Sequence, residues 1–260
     1  MEKIENILKS FSPISLEEMD EVKLMNRMDT KFIYNVNKLP SLLEKANEYY
    51  KVLEISGKRI HTYNSIYFDT SDHYMYIAHH NTKLNRYKIR YRKYVDSDKR
   101  YLEIKFKNNK ERTRKKRIRQ ELFGEEFDDR NKQFIREYSP FDPDTLEAKL
   151  VINFMRFTLV HNDMNERITI DNRLEYDKNG HLTRLPFLTI TEVKQSKFAT
   201  GSDFVRIMKE HRIYPTGMSK YCIGTVLNYK DLKANRFKRK LLMLNKISND
   251  SSYSELFIKN

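Results

Sequence analysis

Two neighbouring stretches put an ionised side chain on every second residue. In "RYKIRYRKY", Lys88, Arg90 and Arg92 alternate with Tyr87, Ile89 and Tyr91. In "YLEIKFK", Glu103, Lys105 and Lys107 alternate with Leu102, Ile104 and Phe106. Residues two apart on a β-strand share one face. Each strand therefore gathers its charge on one side and its apolar groups on the other. The pattern recurs in Arg27, Asp29 and Lys31, in Arg167, Thr169 and Asp171, and in Glu192 and Lys194 of "LTITEVKQSK". Guanidinium forks match phosphate oxygens bidentately, and lysine adds a point charge. A carboxylate among such cations offers an oxygen ligand of the kind a divalent cation takes. The chemistry open to these faces is the binding and transfer of phosphoryl groups, where catalysis is mostly positioning and electrostatic stabilisation.

The competing reading is an antiparallel sheet with one face in water, since charged faces are usually solvated ones. Three features oppose it. The charged faces mix Arg, Lys and Glu and almost lack the Thr, Ser and Gln that solvated faces use. The opposite faces are strongly apolar, and the chain has enough amphipathic helices to cover them. Roughly eight strands are also enough to close a barrel. If the apolar faces lie outward under helices, the charged faces line a tunnel. Such a lining is costly unless a polyanion and a metal neutralise it.

The elements that must position these residues are legible from periodicity. Strands are expected over "RMDTKFIYNV", "RIHTYNSIYFDT", residues 86–95, 100–108 and 113–121, and then 155–162, 166–172 and 187–195. Helices are expected over "ISLEEMDEVKLMNR", "LPSLLEKANEYY", "DHYMYIAHH" with Asp69, Thr70 or Ser71 as its cap, "PDTLEAKLVINFMR", "SDFVRIMKEH" and "GMSKYCIGTVLNY". The basic tail "LKANRFKRKLLMLNKIS" suits a last helix. The class is α+β. The 260 residues contain only six Gly and six Pro, with no linker or repeat, so one domain over 1–260 is expected: an N-terminal helical segment to residue 26, a core over 27–230 and the tail from 231. The net charge of +14 attracts anions. One cysteine excludes an internal disulfide and any Cys-based zinc site. No apolar run is long enough to span a bilayer, and the N-terminus has no signal-peptide pattern, so the cytoplasm is the expected compartment.

Taken in order, "RMDTKFIY", "SIYFDTSDHYMY", "RYKIRYRKY", "YLEIKFK", "RKKRI", "NFMRFTLV", "ERITID", "TEVKQSK" and "GMSKY" resemble the catalytic domain of the vacuolar transporter chaperone (VTC) family, within the triphosphate tunnel metalloenzymes. The resemblance covers about residues 27 to 221. It implies an eight-stranded antiparallel tunnel and a polymerase that moves the γ-phosphate of ATP onto a growing polyphosphate chain, with Mn²⁺ or Mg²⁺. Carried over residue by residue, Lys31 reaches the terminal phosphate, Arg90 and Arg92 are the paired arginines, and Lys105 is the lysine of the next strand. Lys115 and Arg117 match the following basic pair, with a slip to Lys116 open. Arg156 and Arg167 match two later arginines. Glu192 matches the metal-binding glutamate, with Lys194 beside it, and Ser219 and Lys220 match a serine–lysine pair. Lys107 stands where eukaryotic members carry a histidine and is counted with the phosphate binders. Glu103 is open between a second metal ligand and a structural partner of Lys105 and Arg90. The Glu-x-Glu-x-Lys pattern of the wider superfamily is here Arg27-x-Asp29-x-Lys31, which weakens a two-metal hydrolytic reading. The regulatory domain and membrane helices of the eukaryotic members are not expected here, so regulation and export are not carried over from the resemblance.

The remaining motifs read as structural. His79 and His80 are a helix-end pair, Cys222 is core, and the "IYFDTSDHYMY" acids are cap and packing. "ERTRKKRIRQ" is a solvated basic strand or a nucleic-acid patch when taken alone, although its place after "LEIKFK" favours the site. The tail caps the barrel, or meets an anionic membrane or a partner. Two other functions stay open: a triphosphate hydrolase of the same superfamily, and a non-catalytic binder of polyphosphate. Aromatic residues among basic ones also suit single-stranded nucleic acid, but the ordered set of tunnel segments makes that the weaker reading.

Overall fold

The computed structural model describes residues 2–20, 27–110, 112–121, 123–196 and 201–258. In chain order the elements are α1 (Glu2–Ser10), β1 (Pro13–Ile14), α2 (Leu16–Asp20), β2 (Arg27–Asn35), α3 (Leu39–Ala46), β3 (Tyr50–Leu53), β4 (His61–Thr70), α4 (Tyr74–His80), β5 (Arg86–Tyr94), β6 (Lys99–Lys107) and β7 (Thr113–Gln120). They continue as α5 (Asp129–Tyr138), β8 (Leu146–His161), β9 (Glu166–Lys178), β10 (His181–Leu185), β11 (Leu188–Ser196), α6 (Asp203–Glu210), α7 (Lys220–Asn228), α8 (Lys238–Ser248) and α9 (Ser254–Ile258). The class is α+β, as expected.

The strands form one 11-stranded sheet whose main path is β2-β11-β9-β8-β4-β5-β6-β7. β1, β3 and β10 lie off that path, and β1 pairs with β3 in parallel. The eight strands of the path match the expected number. A closed barrel does not follow: among the described residues the end strands β2 and β7 do not pair with each other, so the sheet is open.

Residue contacts divide the chain into two compact units. The first is Met1–His61, Phe154–Leu174 and Leu185–Met218. Its core joins Phe32 and Tyr34 of β2, Ile168 and Ile170 of β9 and Val193 of β11 to Leu39, Leu42 and Leu43 of α3, Leu8 of α1, and Phe204, Ile207 and Met208 of α6. These strand residues are the alternates of Lys31, Thr169 and Glu192. The second unit is Thr62–Asn153, Glu175–Arg184 and Ser219–Asn260. There Ile66 and Phe68 of β4, Ile89 and Tyr91 of β5, and Leu102 and Ile104 of β6 pack on Phe134 and Ile135 of α5 and Met75 of α4. Each such side chain contributes about 1.5–3 kcal/mol on burial, which fixes the register of the strands and so the face on which the charges fall.

Several element expectations need correction. "PDTLEAKLVINFMR" is not a helix: after a single 3-10 turn at Pro143–Thr145 it becomes β8. Leu150, Ile152 and Phe154 alternate as buried residues, a period of two that outweighs the helix-friendly "LEAK" start. The helix expected through "NEYY" ends at Ala46, and Tyr50 already begins β3. α5 and β10 were not expected. Of the N-terminal helix over "ISLEEMDEVKLMNR", only Leu16–Asp20 is described, and the rest lies outside the described residues.

Candidate active site

In the second unit, antiparallel pairing puts side chains from four strands in rows. Tyr67, Arg90, Glu103 and Arg117 form one row; Lys88, Lys105 and Lys115 form the next. Glu103 has a fully buried side chain. Arg90 donates to its Oε2 through Nε at 2.9 Å and Nη2 at 2.6 Å, and Lys115 pairs with its Oε1. Burial alone would raise the Glu103 carboxyl, but Arg90, Arg92 and Lys115 hold it far below the usual carboxylate range. Lys105 is held well below the ordinary lysine range, first by Arg90, then by burial and Arg92. Lys115 is also lowered, chiefly by burial. On β5 and β6 this face is closed to water, with Arg90 and Arg92 7% and 8% exposed and Glu103 buried, whereas Lys115 and Arg117 on β7 are exposed.

Other expected residues take definite places on this unit. Arg92 lies over the Tyr63 ring, 5.6 Å from its centre, and Arg117 over Tyr101 at 4.8 Å. Lys107 stands in register between Arg86 and Thr113. Lys116 points to the other side, over Tyr138 at 5.0 Å, so Lys115, not Lys116, belongs to the row with Lys105. Ser219 caps α7, accepting from Cys222 N at 3.3 Å, and also accepts from Lys88 Nζ at 2.7 Å. Lys220 is the first residue of that helix. Glu103 is paired with Arg90 and Lys115, not with Lys105.

In the first unit, Glu192 stands in register between Lys31 and Thr169, and Lys194 between Asp29 and Arg167. Lys31 Nζ donates to Glu192 Oε1 at 2.5 Å and Lys194 Nζ lies 3.0 Å from Oε2. Lys194 also donates to Thr169 Oγ1 at 3.3 Å. Arg156 grips Asp171 with a two-pronged contact, Nε to Oδ1 at 2.5 Å and Nη2 to Oδ2 at 2.8 Å. Burial would raise the Glu192 carboxyl, but Lys194 and Lys31 pull it well below its ordinary value. Burial lowers Lys194 to about 8 despite Glu192, and Arg156 and Arg167 add to the effect. The Arg27 side chain lies outside the described residues.

Three participants escaped the sequence reading. Lys88 and Asp171 carried the alternation signal and were named on their faces, but not as site residues. Tyr67 carried no signal, because an aromatic residue on a strand reads as packing.

No group of three or more Asp, Glu, His or Cys side chains suited to a metal occurs among the described residues. Glu192 fits a hard divalent cation as a single, partly accessible carboxylate, 21% exposed, completed by phosphate oxygens from a ligand. Glu103, with no exposure and both oxygens engaged, does not fit.

The sequence profile of the VTC domain matches residues 26–229, a span that includes every charged row described above. The chain belongs to the VTC domain family. Among the described elements, α1, β1, α2, α8 and α9 lie outside the matched span. None of the curated proteins compared with it matches the chain. Among solved structures, a candidate adenylate cyclase from Vibrio parahaemolyticus shares 10% identity over 75% of this chain and 96% of its own, with a TM-score of 0.46. A candidate adenylyl cyclase from Hippeastrum, described as having a dominant triphosphatase activity, shares 12% over 78% and 96%, also at 0.46. A conserved hypothetical protein from Pyrococcus furiosus shares 11% over 75% and 99%, at 0.41.

Proposed function

We propose that this VTC domain is a polyphosphate polymerase that transfers the γ-phosphate of ATP to the end of an inorganic polyphosphate chain. The observation that carries the reading is the charge balance of the second unit's face. Lys88, Arg90, Arg92, Lys105, Lys115 and Arg117 are arrayed about the buried carboxylate of Glu103. Among the described residues the cations of that face outnumber its carboxylates, and a chain of phosphates would balance them.

The chain's own groups have separable tasks in this mechanism. Arg90 and Arg92 bind phosphate oxygens in a fixed orientation, because Arg90 is already clamped by Glu103. Lys105 and Lys115 supply point charges to the phosphate oxygens, Lys115 while paired with Glu103. Lys31, Lys194, Arg156 and Arg167 make the corresponding contacts of the first unit, and Ser219 and Lys220 offer a hydroxyl and a charge at the start of α7. The attacking group is the terminal phosphate of the acceptor, ionised at neutral pH, so no general base is required. Glu192 is the residue that would hold a divalent cation, and the cation would supply charge neutralisation for the phosphates.

The test is incubation with ATP and Mn²⁺ followed by electrophoresis of the products, beside Lys31→Ala and Glu192→Gln. A ladder of long chains that both substitutions abolish supports the polymerase. ADP and free phosphate without a ladder replace it with a hydrolase. Anion binding without turnover leaves only a binder.

A further inference from the structure

Packing alone does not account for Tyr67, on β4. It is 7% exposed and stands in register beside Arg90. Its hydroxyl oxygen accepts from Arg90 Nη1 at 2.6 Å. The charged groups that bear on it are Arg90, Arg92 and Lys88, and all of these are donors that cannot accept. Among the described residues the hydroxyl's one hydrogen bond is the one it accepts from Arg90, so its proton has no acceptor there. A buried donor without an acceptor costs free energy that a ligand oxygen can return.

The ring is held rigidly in that pose. It stacks on Tyr221 with centres 5.0 Å apart and planes 9° apart. Tyr221 donates its hydroxyl to Asp69 Oδ2 at 2.6 Å. Asp69 is itself pinned by the backbone N–H groups of Met75 at 2.8 Å and Tyr76 at 2.9 Å at the start of α4. A further buried phenol, Tyr176, bears on the same region, and its hydroxyl has no partner among the described residues.

We infer that Tyr67 is a phosphate-contacting residue: its oxygen accepts from Arg90 while its hydroxyl proton is donated to a phosphate oxygen of the bound chain. The inference rests on the polyphosphate reading of the face. It adds to a cluster of cations one neutral donor with a fixed direction. A second property of the group agrees. Burial raises the phenol, but Arg90, Arg92 and Lys88 outweigh burial and hold it below the ordinary tyrosine range. A polyanion seated on those cations reverses that effect and raises it.

Inorganic tripolyphosphate is the probe. Affinity is measured for the wild-type chain and for Tyr67→Phe, which keeps the ring and its stacking. The tyrosinate absorption of both is titrated with and without the probe. The expected results are a roughly ten- to hundred-fold loss of affinity in Tyr67→Phe, and an early-titrating phenol in the wild type that Tyr67→Phe lacks and that tripolyphosphate moves to higher pH. The titration of the wild type stands whether or not the variant folds. Tight binding by the wild type with equal affinity in Tyr67→Phe, or with no movement of the phenol, overturns the inference and leaves the polyphosphate reading intact. A wild-type chain that fails to bind tripolyphosphate overturns both.

Discussion

The guanidinium of Arg90 turns Nε and Nη2 to Glu103 and Nη1 to Tyr67, so its orientation is set before any ligand arrives. Glu103 is the counter-charge that makes this possible. Removing one partner of a buried ion pair leaves the other uncompensated, so Glu103→Gln is expected to lose about 3–5 kcal/mol in denaturant unfolding. The pH dependence has a definite sign. The folded carboxyl lies far below its unfolded value, so its contribution is fully present above the unfolded pKa and is lost only as pH falls through the folded one. The stability gap between wild type and Glu103→Gln is therefore expected to be flat at neutral pH and to close only in strong acid. Lys194 gives the opposite kind of signature. Its ammonium, lowered to about 8 in the free protein, rises when a polyanion binds. Binding then takes up a proton at pH above about 8, and polyphosphate affinity falls as pH rises through that region. Calorimetry in two buffers of different ionisation enthalpy reads the proton uptake directly, and its absence at pH 8 to 9 would separate Lys194 from the ligand.

Among the elements, α7 shows how closely the scaffold fixes the site. Gly224 sits in the middle of this helix, and a Cβ there would lie 2.4 Å from the Tyr176 ring on β9 and 2.6 Å from Leu150 on β8. Only a bare Cα lets the helix approach the sheet that closely, and the approach brings Ser219 within reach of Lys88. Gly224→Ala is expected to cost about 1–3 kcal/mol through overpacking, read as a lower melting temperature. The sheet strands that carry charge were legible in the sequence because two periodic signals coincide in them: β5, β6 and β11 alternate charged with apolar residues and end at polar turns. The second part of β8 was legible as a strand over 155–162, but its first part was not, because it opens on helix formers and only the later Leu150, Ile152 and Phe154 show the period of two. Tyr67 was hidden for a different reason: its role depends on which face of β4 it shares with Arg90, and a strand with aromatic residues on both faces does not reveal that. The residue pairings themselves, such as Lys115 rather than Lys116 with Glu103, depend on register, which a one-residue slip would invert.

For the molecule as a whole, the +14 net charge is a field of one sign. No helix among the described residues is long and apolar enough to cross a membrane. Binding of a polyanion to such a surface releases counterions, so the affinity for polyphosphate is expected to fall steeply and linearly with the logarithm of salt concentration. Single-stranded nucleic acid, with fewer charges per unit length for the Arg90 and Lys105 rows to meet, is expected to compete poorly at the same salt. The central claim is that this field is used to move a phosphoryl group rather than only to hold an anion. Incubation with a divalent cation and ATP labelled either at the γ- or at the α-phosphate tests it most directly. The γ label is expected to enter long chains on a gel while the α label remains in ADP. Release of the γ label as free phosphate, with none in chains, would contradict it.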